Sequence, residues 1–156
     1  MKRLLLLMFA ATALLIGTTV PAQAQAQSDD WHQISGWSGL ANKRTTGWFS
    51  YPVTEVYQAQ GWGRVDWSGT TVEVHAGAYD LAKDGWCAVT EIRYKVNTGG
   101  GWSGWQYRSP AVDCTHDDDK QVISKYYRGN YPIKDLHFRV CLGWRDGATF
   151  ECTDWR

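Results

Sequence analysis

The sequence predicts an all-β fold, an antiparallel β-sandwich, with a barrel-like closure as the alternative. Three observations support this. The stretch Thr71–Val96 consists of two runs in which apolar and polar residues alternate, and a period of two is typical of half-buried strands. Glycine and proline separate further short strand candidates along the chain, as in sandwiches and barrels. After residue 26, no stretch of ten or more residues shows the period of a helix.

The first 26 residues have the pattern of a signal peptide. Lys2 and Arg3 precede the apolar run Leu4–Val20, and two small-residue A-x-A sites follow. We expect this segment to be helical and to be cleaved after Ala24 or Ala26. About 130 residues then remain, enough for one domain. Because no second apolar run follows, we expect a secreted, extracellular protein with no membrane contact after cleavage.

The charge balance argues against a nucleic acid partner. Without Lys2 and Arg3 the chain carries 14 basic and 16 acidic side chains, a net charge of −2. These charges are dispersed along the sequence, whereas nucleic-acid-binding domains concentrate basic residues on one face. The same reason argues against an anionic membrane surface as the main partner.

Residues 27–47 are polar and contain tryptophans but have no clear period, so we expect loops there. Residues 48–156 are predicted to form a single β-sandwich domain. Its first strand is expected at Trp48–Val53 and its second at Glu55–Trp67. Glycines interrupt the second strand, and glycine inside a strand often marks a bulge or bend.

The centre of the chain predicts a hairpin. Asp80–Gly85 supplies turn residues between the two alternating runs. If Ala76 pairs with Ala88, then Val72 lies opposite Ile92 and one face of the hairpin is apolar. The polar face would carry His75, which we expect to be exposed to solvent like His137.

The C-terminal half continues with short strands. We expect strands at Trp102–Tyr107 and Gln121–Arg128, separated by a long loop over Ser109–Lys120. Apolar residues then alternate from Leu136 to Trp144, and a final strand at Thr149–Trp155 closes the sheet.

The number of cysteines predicts two disulfides, because an even count in an exported chain is typical of a disulfide framework. Asp146-Gly147 is a two-residue type I′ turn signal, and this turn places Cys141 opposite Cys152, leaving Cys87 to pair with Cys114. The same register places Glu151 opposite Leu142, which does not fit an apolar face. Zinc is disfavoured because no C-x2-C pair is present.

A short segment suggests a family. Residues 78–89 contain Asp80, Asp84, Gly85 and Ala88 in a D-x-x-x-D-G-x-x-A pattern. This segment resembles one found in small secreted β-rich proteins of actinobacteria that have no assigned activity. The resemblance implies export and β structure, and it implies no catalytic residue.

The ten tryptophans are the most unusual feature of the composition. Trp86, Trp105 and Trp144 have apolar neighbours at strand spacing and are predicted to lie in the core. Four others lie beside glycine and polar residues and are the predicted ligand-binding residues, because clustered exposed aromatic rings mark binding sites. These four are Trp37, Trp62, Trp67 and Trp102. The alternative is that they also pack, covering the sheets of a small domain.

Acidic residues in two loops could hold calcium, which prefers six to eight oxygen ligands. One candidate is Asp80 with Asp84, and the other is the run Asp117, Asp118 and Asp119. Neither has EF-hand spacing, so solvated loops are the alternative. The four histidines stand alone, which disfavours a transition-metal site.

No motif in the sequence specifies a reaction, and neither a nucleophile with its base nor a carboxylate pair can be identified. We therefore predict a non-enzymatic domain with no catalytic residues. Its ligand would be a carbohydrate or cell-envelope polymer bound through tryptophans. The alternatives are a protein-binding module or inhibitor that uses Ser109–Lys120 to bind an extracellular enzyme, and a small secreted hydrolase.

Overall fold

The computed structural model describes residues 30–52, 57–116 and 120–156, and no helix occurs among them. Eleven β-strands form two antiparallel sheets that pack face to face and are not closed into a barrel. The predicted sandwich is therefore confirmed. The expected signal peptide and the part of the second strand at residues 53–56 lie outside the described residues.

The first sheet, sheet A, has the strand order β1-β9-β5-β4-β2, with β3 also pairing with β4 and β8 with β5. Its strands are β1 Trp31–Ile34, β2 Asn42–Thr45, β3 Phe49–Tyr51, β4 Ala59–Ser68, β5 Thr71–Asp80, β8 Val122–Ile123 and β9 Tyr126–Gly129. The first two strands lie in residues 27–47, where we expected loops. Their polar residues mask a strand period, because β2 is exposed along its whole length.

The second sheet, sheet B, has the order β11-β10-β6-β7. Its strands are β6 Cys87–Val96, β7 Gln106–Asp113, β10 Ile133–Gly143 and β11 Thr149–Cys152. The first five residues of the expected loop Ser109–Lys120 are thus strand. Pro110 interrupts the pattern, but β7 is an edge strand, where proline does not remove a needed hydrogen bond.

The predicted central hairpin is wrong. Strand β5 pairs with β4 through the turn at Gly69, whereas β6 lies in the other sheet between β7 and β10. The inward faces were nevertheless predicted correctly, because Val72, Val74, Ile92 and Tyr94 are all buried in the core. The two apolar faces meet across the sandwich instead of lying side by side.

Glycines on β4 allow the sheets to approach closely. We expected a bulge at Gly61 and Gly63, but β4 pairs with β5 without a register shift. A Cβ atom on Gly63 would lie 2.2 Å from the ring of Phe138, and one on Gly61 would lie 2.2 Å from the hydroxyl of Thr90. These glycines therefore leave space for side chains of sheet B.

Both predicted disulfides are present, Cys87–Cys114 and Cys141–Cys152. The C-terminal turn differs from the prediction, because Trp144 pairs with Ala148 around a longer loop that ends at Gly147. A bulge at Glu151, which has a φ of 46°, then restores the pairing of Cys141 with Cys152. The bulge also places Phe150 opposite Leu142, which removes the misfit of Glu151 with the apolar face.

Candidate functional site

The outer face of sheet A carries an aromatic cluster. His75 on β5 stacks on Tyr126 with ring centres 4.0 Å apart, and Trp62 meets the same imidazole edge to face at 5.1 Å. Trp37 packs against Tyr126, with the guanidinium of Arg64 4.2 Å from the indole centre. The prediction that His75 is exposed is therefore wrong: only 9% of it is accessible. Burial is the main cause that lowers the pKa of His75; a hydrogen bond with the Lys125 backbone opposes this, and the charge of Arg64 adds to it.

The contact between Ser124 and His75 is not a catalytic pair. The Ser124 hydroxyl lies 3.3 Å from Nδ1 of His75, but it donates to the carbonyl of Lys125 at 2.7 Å. It also accepts a hydrogen bond from the backbone N–H of Ala76. The hydroxyl proton is hydrogen-bonded to a carbonyl oxygen and Ser124 is buried. The imidazole is therefore not placed to act as a general base on this oxygen.

Trp62 is held in place by two neighbours. Its indole occupies the space beside Gly77 on the adjacent strand, where a Cβ atom would lie 2.2 Å from Nε1. The indole N–H donates to Oε1 of Gln121 at 2.7 Å. The ring is therefore fixed before any ligand arrives, which lowers the entropic cost of binding.

A shallow cleft of about 280 Å³ lies beside this ring. We call it the aromatic groove, and its lining residues are Thr45, Gly47, Trp48, Trp62, Gly63 and Gln121. Trp48 is 51% exposed, and no lining side chain carries a charge. Within the described residues, neither the amide NH2 of Gln121 nor the Thr45 hydroxyl forms a hydrogen bond, so both are available to a ligand.

The outer face of sheet B carries a stack of alternating cations and indoles. Arg93 lies between Trp105 and Trp155, at 4.4 and 4.7 Å from their ring centres. Arg139 contacts Trp155 and Lys95 contacts Trp105. Each indole thus has two cations against its ring, so neither presents a clear face for stacking on a ligand.

The four predicted ligand-binding tryptophans do not form one surface. Trp62 lines the aromatic groove, and Trp37 lies in the cluster over His75. Trp67 lines a separate cleft between the sheets, and Trp102, 40% exposed, has the ammonium of Lys134 against its ring. Trp48 was not predicted as a ligand-binding residue. Gly47 and the polar residues before it are the same signal that selected the others.

None of the three tryptophans predicted to be core residues is fully buried. Trp144 is 50% exposed, and Trp105 is half-buried in the stack on sheet B. Trp86 is partly buried and packs against the core, meeting Trp144 edge to face. His137, expected to face solvent, lies beneath Trp105 with ring centres 5.9 Å apart.

The acidic candidates for calcium are only partly described, because Asp117–Asp119 lie outside the described residues. Asp80 is buried at the end of β5, and its backbone N–H donates to the carboxylate of Asp113. Within the described residues, three possible ligand atoms lie close enough together to share a metal ion only at Glu91, Cys141 and Cys152. Those sulfurs form a disulfide and Arg139 binds the carboxylate, so this group does not suit a metal ion.

Replacing Asp80 with asparagine should stabilise the protein at neutral pH. Burial, together with the charges of Asp113 and Asp84, raises the pKa of Asp80 from 3.8 to about 6. The folded state therefore holds this proton more tightly than the unfolded chain. The stabilising effect of this protonated carboxyl group is complete below about pH 4 and is lost as the pH rises to about 6. The loss amounts to at most about 3 kcal/mol, and Asp80→Asn should avoid it.

Urea unfolding at several pH values between 4 and 7 measures this effect. The exposed neighbour Asp84 provides the matched control, because Asp84→Asn should keep most of the wild-type pH dependence. An Asp80→Asn protein with the same pH dependence as wild type would contradict the prediction.

Comparison of the chain with known protein families, with curated proteins and with solved structures finds no match. The resemblance of residues 78–89 to secreted actinobacterial proteins therefore stays a prediction. The two disulfides indicate an oxidising, extracellular setting. The described residues contain no helix long and apolar enough to cross a membrane.

Proposed function

We propose that this protein is a secreted, non-enzymatic domain that binds neutral carbohydrate, such as a cell-envelope polymer, in the aromatic groove. The observation that carries the proposal is the fixed indole of Trp62 beside the exposed indole of Trp48. Sugar rings present apolar C–H faces that stack on such indoles. The proposal refines the sequence prediction, because it keeps Trp62, adds Trp48 and omits Trp37, Trp67 and Trp102.

The polar groups of the groove suit an uncharged ligand. The Gln121 amide and the Thr45 hydroxyl can donate to and accept from sugar hydroxyls. Gln121 has a second role, since its carbonyl holds the Trp62 indole. Because the groove has no charged lining residue, binding should change little with salt concentration.

Trp48→Ala and Trp62→Ala should each weaken glycan binding about tenfold or more, as expected for a stacking residue at the centre of a site. Binding is measured by pull-down on insoluble glycans and by titration with soluble oligosaccharides. Gly77→Ala should have an effect similar to Trp62→Ala, because the new methyl group takes the space of the indole. Trp144→Ala is the matched control, since Trp144 is exposed to the same degree as Trp48 and lies outside the groove.

If every glycan tested is retained equally by wild type and by the Trp48 and Trp62 variants, the groove is not the binding site. Weakening by Trp144→Ala to the same extent would contradict the proposal as well.

A further inference from the structure

A second cleft, of about 310 Å³, opens between the sheets. It lies between the β4–β5 turn and the start of β10 and shares no lining residue with the aromatic groove. We call it the basic cleft, and its lining residues are Arg44, Val65, Trp67, Gly69, Thr70, Val72, Ile133, Lys134, Asp135 and Leu136. Its volume is within the range of small-molecule sites.

The floor of the basic cleft is apolar. Val65 and Val72 contribute from sheet A and Ile133 from sheet B, and all three belong to the buried core. Trp67 and Leu136 are partly buried against the same core. A ligand there would gain contact with a ring and with aliphatic side chains in place of water.

A backbone hydrogen bond and a bulge border the cleft. The carbonyl of Thr70 accepts a hydrogen bond from the N–H of Ile133 at 2.9 Å, which ties the β4–β5 turn to β10. Beyond this contact β10 shifts register between Lys134 and His137, and Asp135 has a φ of 54°. Bulges with an uncommon backbone conformation often occur beside functional sites.

The rim carries two cations without a carboxylate partner among the described residues. Arg44 donates to the carbonyl of Leu136 at 2.9 Å, and Lys134 lies 4.4 Å from the ring centre of Trp102. Both contacts fix a side chain but neutralise no charge. The one acidic lining residue, Asp135, forms its ion pair with Lys95 at 2.9 Å, although the charge of the adjacent Lys134 also helps to lower its pKa.

The charge of Arg44 also affects the neighbouring His137. Burial is the main cause that lowers the pKa of His137, and the charges of Arg93 and Arg44 lower it further. A rim whose two cations form no ion pair of their own, above an apolar floor, favours a ligand with a negative group at one end.

We propose that the basic cleft binds a small amphiphilic anion, an aromatic ring or short chain that carries a carboxylate, sulfate or sulfonate group. The apolar part would lie against Trp67 and Leu136, and the anionic group between Arg44 and Lys134. This ligand differs in charge from the neutral sugar proposed for the aromatic groove, so the two sites can be tested separately.

Two fluorescent probes test the proposal. Anilinonaphthalene sulfonate and N-phenylnaphthylamine share one ring system and differ in the anionic group. The folded protein should bind the sulfonate about tenfold more tightly than the neutral probe, and high salt should reduce this preference. Equal binding of the two probes, or binding of neither, overturns the proposal.

Variants locate the site. The double variant Arg44→Gln/Lys134→Gln should lose the preference for the sulfonate while binding the neutral probe as before, whereas Trp67→Ala should weaken both. Arg44→Lys/Lys134→Arg keeps the charges and should keep the preference. Lys43→Gln is the matched control, because Lys43 precedes Arg44 on β2 and does not line the cleft. A preference that survives the first double variant, or disappears in Lys43→Gln, overturns the assignment.

Discussion

Gly63→Ala should lower the free energy of unfolding by about 3 kcal/mol, at the upper end of the usual cost of overpacking a core. The new methyl group would lie 2.2 to 2.5 Å from three ring atoms of Phe138. Phe138 is fully buried, so the ring cannot move toward solvent. Because Gly63 lies on β4 and Phe138 on β10, the change must push the sheets apart or force the ring from its rotamer. Urea denaturation at neutral pH measures the loss.

A second change tests the physical reason. Phe138→Leu removes ring volume, so Gly63→Ala should cost less in that background than in wild type, and the two effects should not add. Gly36→Ala is the control, because open space surrounds Gly36 and the effect should stay within about 0.5 kcal/mol. An equal cost of Gly63→Ala in both backgrounds would show that contact with Phe138 is not the cause.

The steric role of Gly63 illustrates what the sequence could not predict. Alternation on β5 and β6 indicated correctly that Val74 and Ile92 face the core. The same alternation arises whether two apolar faces lie side by side in one sheet or meet across a sandwich. The pattern therefore does not determine which strand pairs with β5. Glycines inside a strand such as β4 indicate a bulge or bend when only the sequence is considered, whereas their role here is to leave space for side chains of the opposite sheet.

The disulfides were predictable because they depend on a local register. The turn at Asp146 is one residue longer than predicted, yet the bulge at Glu151 compensates and Cys141 still lies opposite Cys152. The pattern conflict at Glu151 was the signal that an extra residue was present. A misfit of one residue in an otherwise regular strand is what a bulge produces.

The candidate sites were predictable only in part. Residue types near glycine pointed to Trp62, but its fixed position depends on Gly77 and Gln121, which are distant in sequence. Burial of His75 depends on rings from β4, β9 and the N-terminal segment. Such contacts follow from tertiary packing, and the local alternation of polar and apolar residues cannot predict them.

Arg128→Ala should destabilise the protein by about 3 to 5 kcal/mol, the usual cost of leaving a buried charge without its partner. Glu73 is fully buried on the outer side of β5. Its carboxylate accepts hydrogen bonds from Nε and a terminal NH2 of Arg128 and from the backbone N–H and hydroxyl of Ser38. Removing the guanidinium leaves only Ser38 to replace the lost solvation of the charge.

The pH dependence identifies the cause. Burial by itself raises the pKa of Glu73, but the hydrogen bonds from Ser38 and Arg128 and the charge of Arg128 outweigh it, so the pKa lies below 4.5. The wild-type pair therefore stabilises the fold above about pH 4.5 and loses this effect as the pH falls. In Arg128→Ala the hydrogen bond and the charge of Arg128 are gone and only the hydrogen bonds from Ser38 oppose the effect of burial. The pKa of Glu73 should therefore be higher than in wild type, and the difference in stability from wild type should shrink on acidification.

A double-mutant cycle with Glu73→Gln separates this electrostatic effect from lost packing. Because a neutral amide needs no cation, Arg128→Ala should cost much less in the Glu73→Gln background than in wild type. Lys95→Ala is the control: it breaks an ion pair of similar length on an exposed surface, where the cost should be below about 1 kcal/mol. If Arg128→Ala costs the same in both backgrounds, the buried charge is not what makes Arg128 necessary. In that case Arg128 would act mainly through the packing of its aliphatic stem.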